Sequence, residues 1–185
     1  MDIEKNKERI KLQFDVIKRT DGYISTTNNK AALLLAANGA LATIFTNKIS
    51  EFSNLFGKSD AYNLVFFVFI FLISSSILLS ISYSLKSIVP DMRTSTLEDA
   101  NALSNISFVY ISRNSDYKEY YNKFKSVSED EILIDMCEQS YILSNIAKVK
   151  FNHFSSAVGW SKFAFVVIIV LVILKFIDYI NGVFA

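Results

Sequence analysis

Apolar residues along this chain fall in blocks, and the blocks predict its elements. Residues 63–85 read NLVFFVFIFLISSSILLSISYSL, 23 residues without a charge. About 20 apolar residues cross a bilayer core, so this run predicts a transmembrane helix. A second block, 163–182, carries only Lys175 and Asp178. They form an i,i+3 pair near its distal end, where a lysine can snorkel and the acid offsets it. The third block, AALLLAANGALATIFTN at 31–47, is 17 uncharged residues between Lys30 and Lys48. That is the short end of the spanning range, and length alone also allows a buried soluble helix. A secretory signal is a poor alternative, because the charged segment before it contains five acids and is far longer than an n-region.

Basic residues decide the third block. Counting 31–47 as a span, Lys+Arg number 7 in 1–30, 2 in 48–62, 9 in 86–162 and none after the last span. This alternation puts 1–30 and 86–162 together in the cytoplasm, with 48–62 and the C-terminus outside. Without that span, nine basic residues fall on either side of the second helix and the asymmetry vanishes. Three spans is the better reading.

The flanking segments predict helices too. Ile3, Ile10, Phe14, Ile17 and Ile24 share one helical face in the otherwise charged segment 1–30. Asp21-Gly22 is expected to weaken or bend that helix. Pro90 stops the second span. Ser95-x-x-Glu98 and Ser128-x-x-Glu131 read as capping boxes, and Ser115 as the cap of a short helix through Lys125. Leu133, Met136, Leu143, Ala147 and Phe154 keep helical spacing into the last span, with Gly159 as the one flex point. The expected fold is an all-α membrane protein. It has transmembrane helices at 31–47, 63–85 and 163–182, and a cytosolic helical region formed by the N-terminal amphipathic helix (1–30) and the loop between spans two and three (86–162). Two helices then run from cytosol into bilayer, so a rearrangement below the membrane is carried rigidly to the spans.

Composition narrows the chemistry. Charged residues are 20% against roughly 25% in soluble domains. One cysteine, Cys137, gives no disulfide or thiol cluster, and one histidine, His153, gives no histidine metal site. A net charge of +1 argues against duplex binding. No nucleophile–base or metal constellation appears, so an enzyme is not expected, and neither is a cofactor.

Several residues stand out within the spans. Ala32, Ala36 and Ala40 repeat at i, i+4 and i+8, beside Gly39-x-x-x-Thr43. Such a small face permits close helix approach in lipid, within one subunit or between subunits. Asn38, a primary amide at mid-span, must face protein or water, as an interhelical hydrogen bond or as a pore-lining group. Ser76, Ser80 and Ser84 form a polar stripe that either bonds back to its own helix or lines a pore. In the cytosolic region Tyr110, Tyr117, Tyr120 and Tyr121 lie among Arg113, Lys118, Lys123 and Lys125. Flat rings and cations suit a base and a phosphate, and equally an ordinary helix contact. Arg113, Tyr117, Tyr120, Gln139, Lys148 and Lys150 are the candidate regulatory residues.

Two stretches resemble the Pycsar transmembrane effectors. Tyr23–Ala42, YISTTNNKAALLLAANGALA, is similar to the "KA..LL..NG" segment that opens their membrane region. Ser107–Phe154 is similar to their second stretch, in which an aromatic strip and an "EY" element precede a helix carrying Asp, Gln and "LS.IA..K". The matching positions are Tyr120, Asp135, Gln139, Leu143, Ser144, Ile146, Ala147 and Lys150. The resemblance implies a bacterial antiphage effector of the inner membrane that acts by abortive infection. It answers a signal from an adjacent cyclase or nucleotidyltransferase: cyclic CMP, cyclic UMP or, in related systems, an oligonucleotide. The leading expectation is a homo-oligomer, such as a tetramer, that conducts ions or depolarises the membrane. The alternative is a non-conducting anchor that recruits a cytosolic partner.

Overall fold

The computed structural model describes residues 2–54, 60–90 and 104–183. All their regular structure is helical: α1 (Asp2–Asn54), α2 (Asp60–Ile88), α3 (Phe108–Ile111), α4 (Tyr117–Ser126) and α5 (Glu129–Val183). Three of these, α1, α2 and α5, are long and apolar enough to cross a membrane. The chain forms two compact units. One comprises Met1–Thr26 with Pro90–Val149, the other Thr27–Val89 with Lys150–Ala185, and α1 and α5 contribute to both.

The second unit is a bundle of three helical segments with an inverted polarity. Phe66, Ile73 and Ile77 of α2 pack on Ala164, Val167 and Leu171 of α5, with Ala42 and Phe45 of α1 against them. Beside this apolar layer the interior holds Asn38, Ser76, Ser80, Ser84, Ser87 and Ser161. The outside carries Leu33, Ile44, Phe67, Phe71, Leu78, Val166 and Phe176. Lipid tails are as apolar as leucine, so hydrophobic burial does not hold such helices together. Close packing of small residues and interhelical hydrogen bonds do. Ala31 and Ala157 are both fully buried, as that close approach requires.

The first unit joins the start of α1 to α3, α4 and the start of α5. The inward face of α1 runs Ile10, Gln13, Ile17, Thr20 and Ile24, the 3-4 spacing of a coiled-coil seam. Phe14, expected on this face, is 58% exposed. Gln13 takes its place because its Oε1 accepts a hydrogen bond from Ser140 Oγ of α5 at 2.9 Å. Thr20 is tolerated because its hydroxyl donates to Val16 O. Near the start of the helices Asn6 Nδ2 donates to Asp130 Oδ1 at 2.7 Å. On α5 the inner face is Met136, Ile142 and Ile146. The side chain of Ile3 lies outside the described residues.

Neither expected weak point interrupts a helix. α1 runs through Asp21-Gly22 and α5 through Gly159. A mid-helix glycine costs roughly 1 kcal/mol relative to alanine, too little to end a helix of this length. The expected cap also moves by one residue. Asp116, not Ser115, caps α4, its Oδ1 accepting from Glu119 N at 2.8 Å. Aspartate is a strong N-cap acceptor, and Ser115 instead donates its N–H and its hydroxyl to Glu119 Oε2. The Ser128/Glu131 capping box opens α5 as its spacing predicts: Glu131 N donates to Ser128 Oγ, and Ser128 N to Glu131 Oε2. Ser95/Glu98 and the side chain of Asp178 lie outside the described residues.

The α4 cap carries a pH dependence. Lys123 Nζ, 2.7 Å from Glu119 Oε1, and Ser115 hold the Glu119 carboxyl down to about 2 from its usual 4.5. A depressed carboxyl contributes stability that is complete above the unfolded value and lost as pH falls through the folded one. Amide protection at 117–120, the exchange rate taken relative to the unstructured rate at the same pH, is therefore expected to hold at neutral pH and to fall as pH drops from 4.5 toward 2. Glu119→Gln should abolish that pH dependence. An unchanged profile in the variant would place the acid sensitivity elsewhere.

Candidate functional site

Within the membrane-type bundle, three helices meet at one amide. Asn38 of α1 is fully buried. Its Nδ2 donates to Ser80 Oγ of α2 at 2.8 Å, and its Oδ1 accepts from Ser161 Oγ of α5 at 3.0 Å. Ser80 in turn donates to the Ala157 carbonyl at 2.7 Å. The amide thus sits as an interhelical bridge inside one chain. Ser76 bonds back to Leu72 O. Ser84 is fully buried and its hydroxyl has no hydrogen-bond partner among the described residues. The stripe Ser76–Ser80–Ser84 faces the interior of a single chain's bundle, so a path lined by it has to open within that bundle. Ala32, Ala36 and Ala40 lie on the exposed side of α1.

Lys150 closes one end of the same bundle. It is 5% exposed, and its ammonium donates to Ser87 O (2.6 Å), Val89 O (2.8 Å), Ile88 O (3.3 Å) and Asn28 Oδ1 (3.2 Å). The last carbonyls of a helix lack intrahelical partners and carry the negative end of its dipole, so a cation there satisfies both demands. Pro90 has no N–H to offer those carbonyls. Ser87 Oγ returns a bond to Lys150 O at 3.1 Å. Lys150, expected as a ligand contact, is therefore engaged as the cap of α2. Nearby, Lys86 lies 5.2 Å from the ring centroid of Tyr83, and that ring stands 6.1 Å from His153.

The first unit holds the aromatic and basic residues. Arg113 stacks on the ring of the buried Tyr110 at 4.9 Å. Tyr120 donates its hydroxyl to Asn105 O at 3.0 Å, and Lys123 is shared between Glu119 and Asn114. These side chains line a cavity of about 190 Å3 together with Ser104. A second cavity of about 260 Å3, also bordered by Ser104 and Asn105, is lined by Glu131, Asp135 and Glu138. Asp135 is 8% exposed. Its Oδ2 accepts from Asn105 N at 2.7 Å, while its Oδ1 has no partner among the described residues.

Of the sequence candidates, Arg113 and Tyr120 therefore share one cavity. Tyr117 is 76% exposed and lines neither cavity. Gln139 has a buried amide nitrogen with no hydrogen-bond partner among the described residues, and Lys148 is exposed on α5. Lys150 belongs to the other unit. Sequence reasoning missed Ser87 and Ser161, although Ser87 continues the serine stripe by one further step. It also missed Ser104 and Asn105, for which no local pattern gave a signal.

Residues 13–177 match the Pycsar effector protein domain. The chain is 62% identical over 182 residues to the Pycsar effector protein EcPycTM of Escherichia coli, covering 98% of each. No solved structure matches. With three helices able to span a bilayer and a domain match over most of its length, the chain belongs to the Pycsar transmembrane effector family.

Proposed function

We propose that this membrane effector of antiphage defence is a homo-oligomer gated by a nucleotide signal from an adjacent cyclase, and that it acts by conducting ions or depolarising the inner membrane. The observation that carries the reading is the polar interior of the bundle, Asn38–Ser80–Ser161 with the unpartnered Ser84. Groups that bond to one another in the closed bundle can bond to water in an open one, so the two states differ by a small free energy that a ligand can tip. Anchoring alone gives no reason to bury an unbonded hydroxyl between these helices. The exposed Ala32/Ala36/Ala40 face supports close approach of a second subunit. The Lys+Arg alternation supports a cytoplasmic N-terminus, with 86–162 on the same side.

The test is membrane potential in cells, read with a voltage-sensitive dye, with the effector expressed alone and together with the cyclase. Depolarisation only when both are present is expected. A potential that stays intact with both expressed favours the non-conducting anchor.

A further inference from the structure

The two cavities of the first unit differ in charge and share a wall. On one side stand Arg113 and Lys123, on the other Glu131, Asp135 and Glu138, with Ser104 and Asn105 between them. Arg113 touches the Tyr110 ring and lines the cavity with a fork of N–H donors suited to two phosphate oxygens. Ser104 Oγ accepts from Ile106 N and Ser107 N, which leaves its own hydroxyl proton to give. Across the wall, Asp135 Oδ1 is a buried carboxylate oxygen to which nothing among the described residues donates. Small-ligand sites run to roughly 300–1,000 Å3. Each cavity alone, at about 190 and about 260 Å3, falls below that range, and the two joined fall within it.

We propose that the two cavities form one dipolar nucleotide site. Arg113 and Lys123 hold the phosphate, and Asp135 Oδ1 accepts an N–H from the edge of the base. The assignment rests on the nucleotide-gated reading above and adds where the signal sits and which part of it is read. A carboxylate oxygen accepts and cannot donate, so it takes only an N–H of the base edge, and the four bases differ in where that edge carries one. Because Oδ1 is sealed from solvent, a base reaches it only when the Ser104–Asn105 segment moves aside. That segment is pinned from both sides, by Asn105 N to Asp135 and by Tyr120 Oη to Asn105 O. Occupancy thus breaks a defined contact, which gives the ligand unequal affinity for two conformations, the condition for shifting an equilibrium.

The test is calorimetric binding to the full chain in nanodiscs, with cyclic CMP, cyclic UMP, cyclic AMP and cyclic GMP as probes. Arg113 is exposed, so Arg113→Ala should leave the fold intact and weaken every nucleotide that binds by about tenfold or more. Asp135→Asn puts an N–H donor in place of an acceptor and should change the ratio of affinities among the four bases by about tenfold. Should that variant fail to fold, Lys123→Ala, also at an exposed position, reads the phosphate half by itself and should weaken all four alike. If a nucleotide binds wild type and both exposed-residue variants equally well, this site is wrong while nucleotide gating stands. If Arg113→Ala weakens binding and a folded Asp135→Asn keeps the wild-type ranking of bases, the base-reading half is wrong. If wild type binds none of the four, the nucleotide-gated reading itself falls, and the site with it.

Discussion

Asn38→Leu should give a protein that depolarises membranes without its signal. Leucine keeps the branched shape of the side chain, with larger ends, and removes two interhelical bonds, to Ser80 and from Ser161. Side-chain hydrogen bonds between membrane helices average about 0.6 kcal/mol and reach about 1.7, so losing two weakens the closed bundle by about 1–3 kcal/mol. Each 1.4 kcal/mol is a factor of ten, so the open fraction should rise by about five- to a hundredfold. Dye fluorescence in cells lacking the cyclase reads this directly. Ser161→Ala removes only one of the two bonds and should produce a smaller leak. A variant as silent as wild type without the cyclase would mean that the Asn38 bridge does not hold the closed state.

Lys150→Met should lower thermal stability more than any other single change in the bundle. Methionine keeps much of the aliphatic stem but leaves the carbonyls of Ser87, Ile88 and Val89 without their shared donor. A buried polar group stripped of its partner costs about 1–3 kcal/mol, and after local relaxation the set should cost about 3 kcal/mol. At roughly 2–4 °C per kcal/mol for a chain of this size, Tm should fall by about 6–12 °C. Lys150→Arg should fall between the two, because a planar fork converges poorly on three carbonyls that a compact ammonium reaches together. Thermal unfolding of the detergent-solubilised protein measures it. An unchanged Tm for Lys150→Met would show that water satisfies those carbonyls and that the clamp is incidental.

These two residues also mark what the sequence makes legible. Long uncharged runs announce membrane helices because the bilayer imposes a length, and the capping box at Ser128 announces the start of α5 because its geometry is local. The seam of α1 is harder to read, since apolarity points to Phe14 while Gln13 occupies the inward position. A polar residue can sit there only because Ser140, 127 positions away, supplies its partner. Lys150 misleads for the same reason. A lone lysine beside an aromatic–basic cluster reads as a phosphate contact, whereas its partners are carbonyls more than sixty residues earlier. Asn38 could be recognised as needing a partner, yet which serines answer it is a property of three helices together. Chemistry set by one segment is visible in the sequence, and chemistry set by pairing between segments is not.

On the proposed function, a polar-cored bundle opens in response to a nucleotide. Its most direct test is ion flux from liposomes holding only the purified chain, comparing wild type and Asn38→Leu with and without added cyclic CMP or cyclic UMP. Tight vesicles are expected for wild type alone, flux when the cognate nucleotide is added, and flux from Asn38→Leu without any nucleotide. Vesicles that stay tight in all of these conditions would contradict that function.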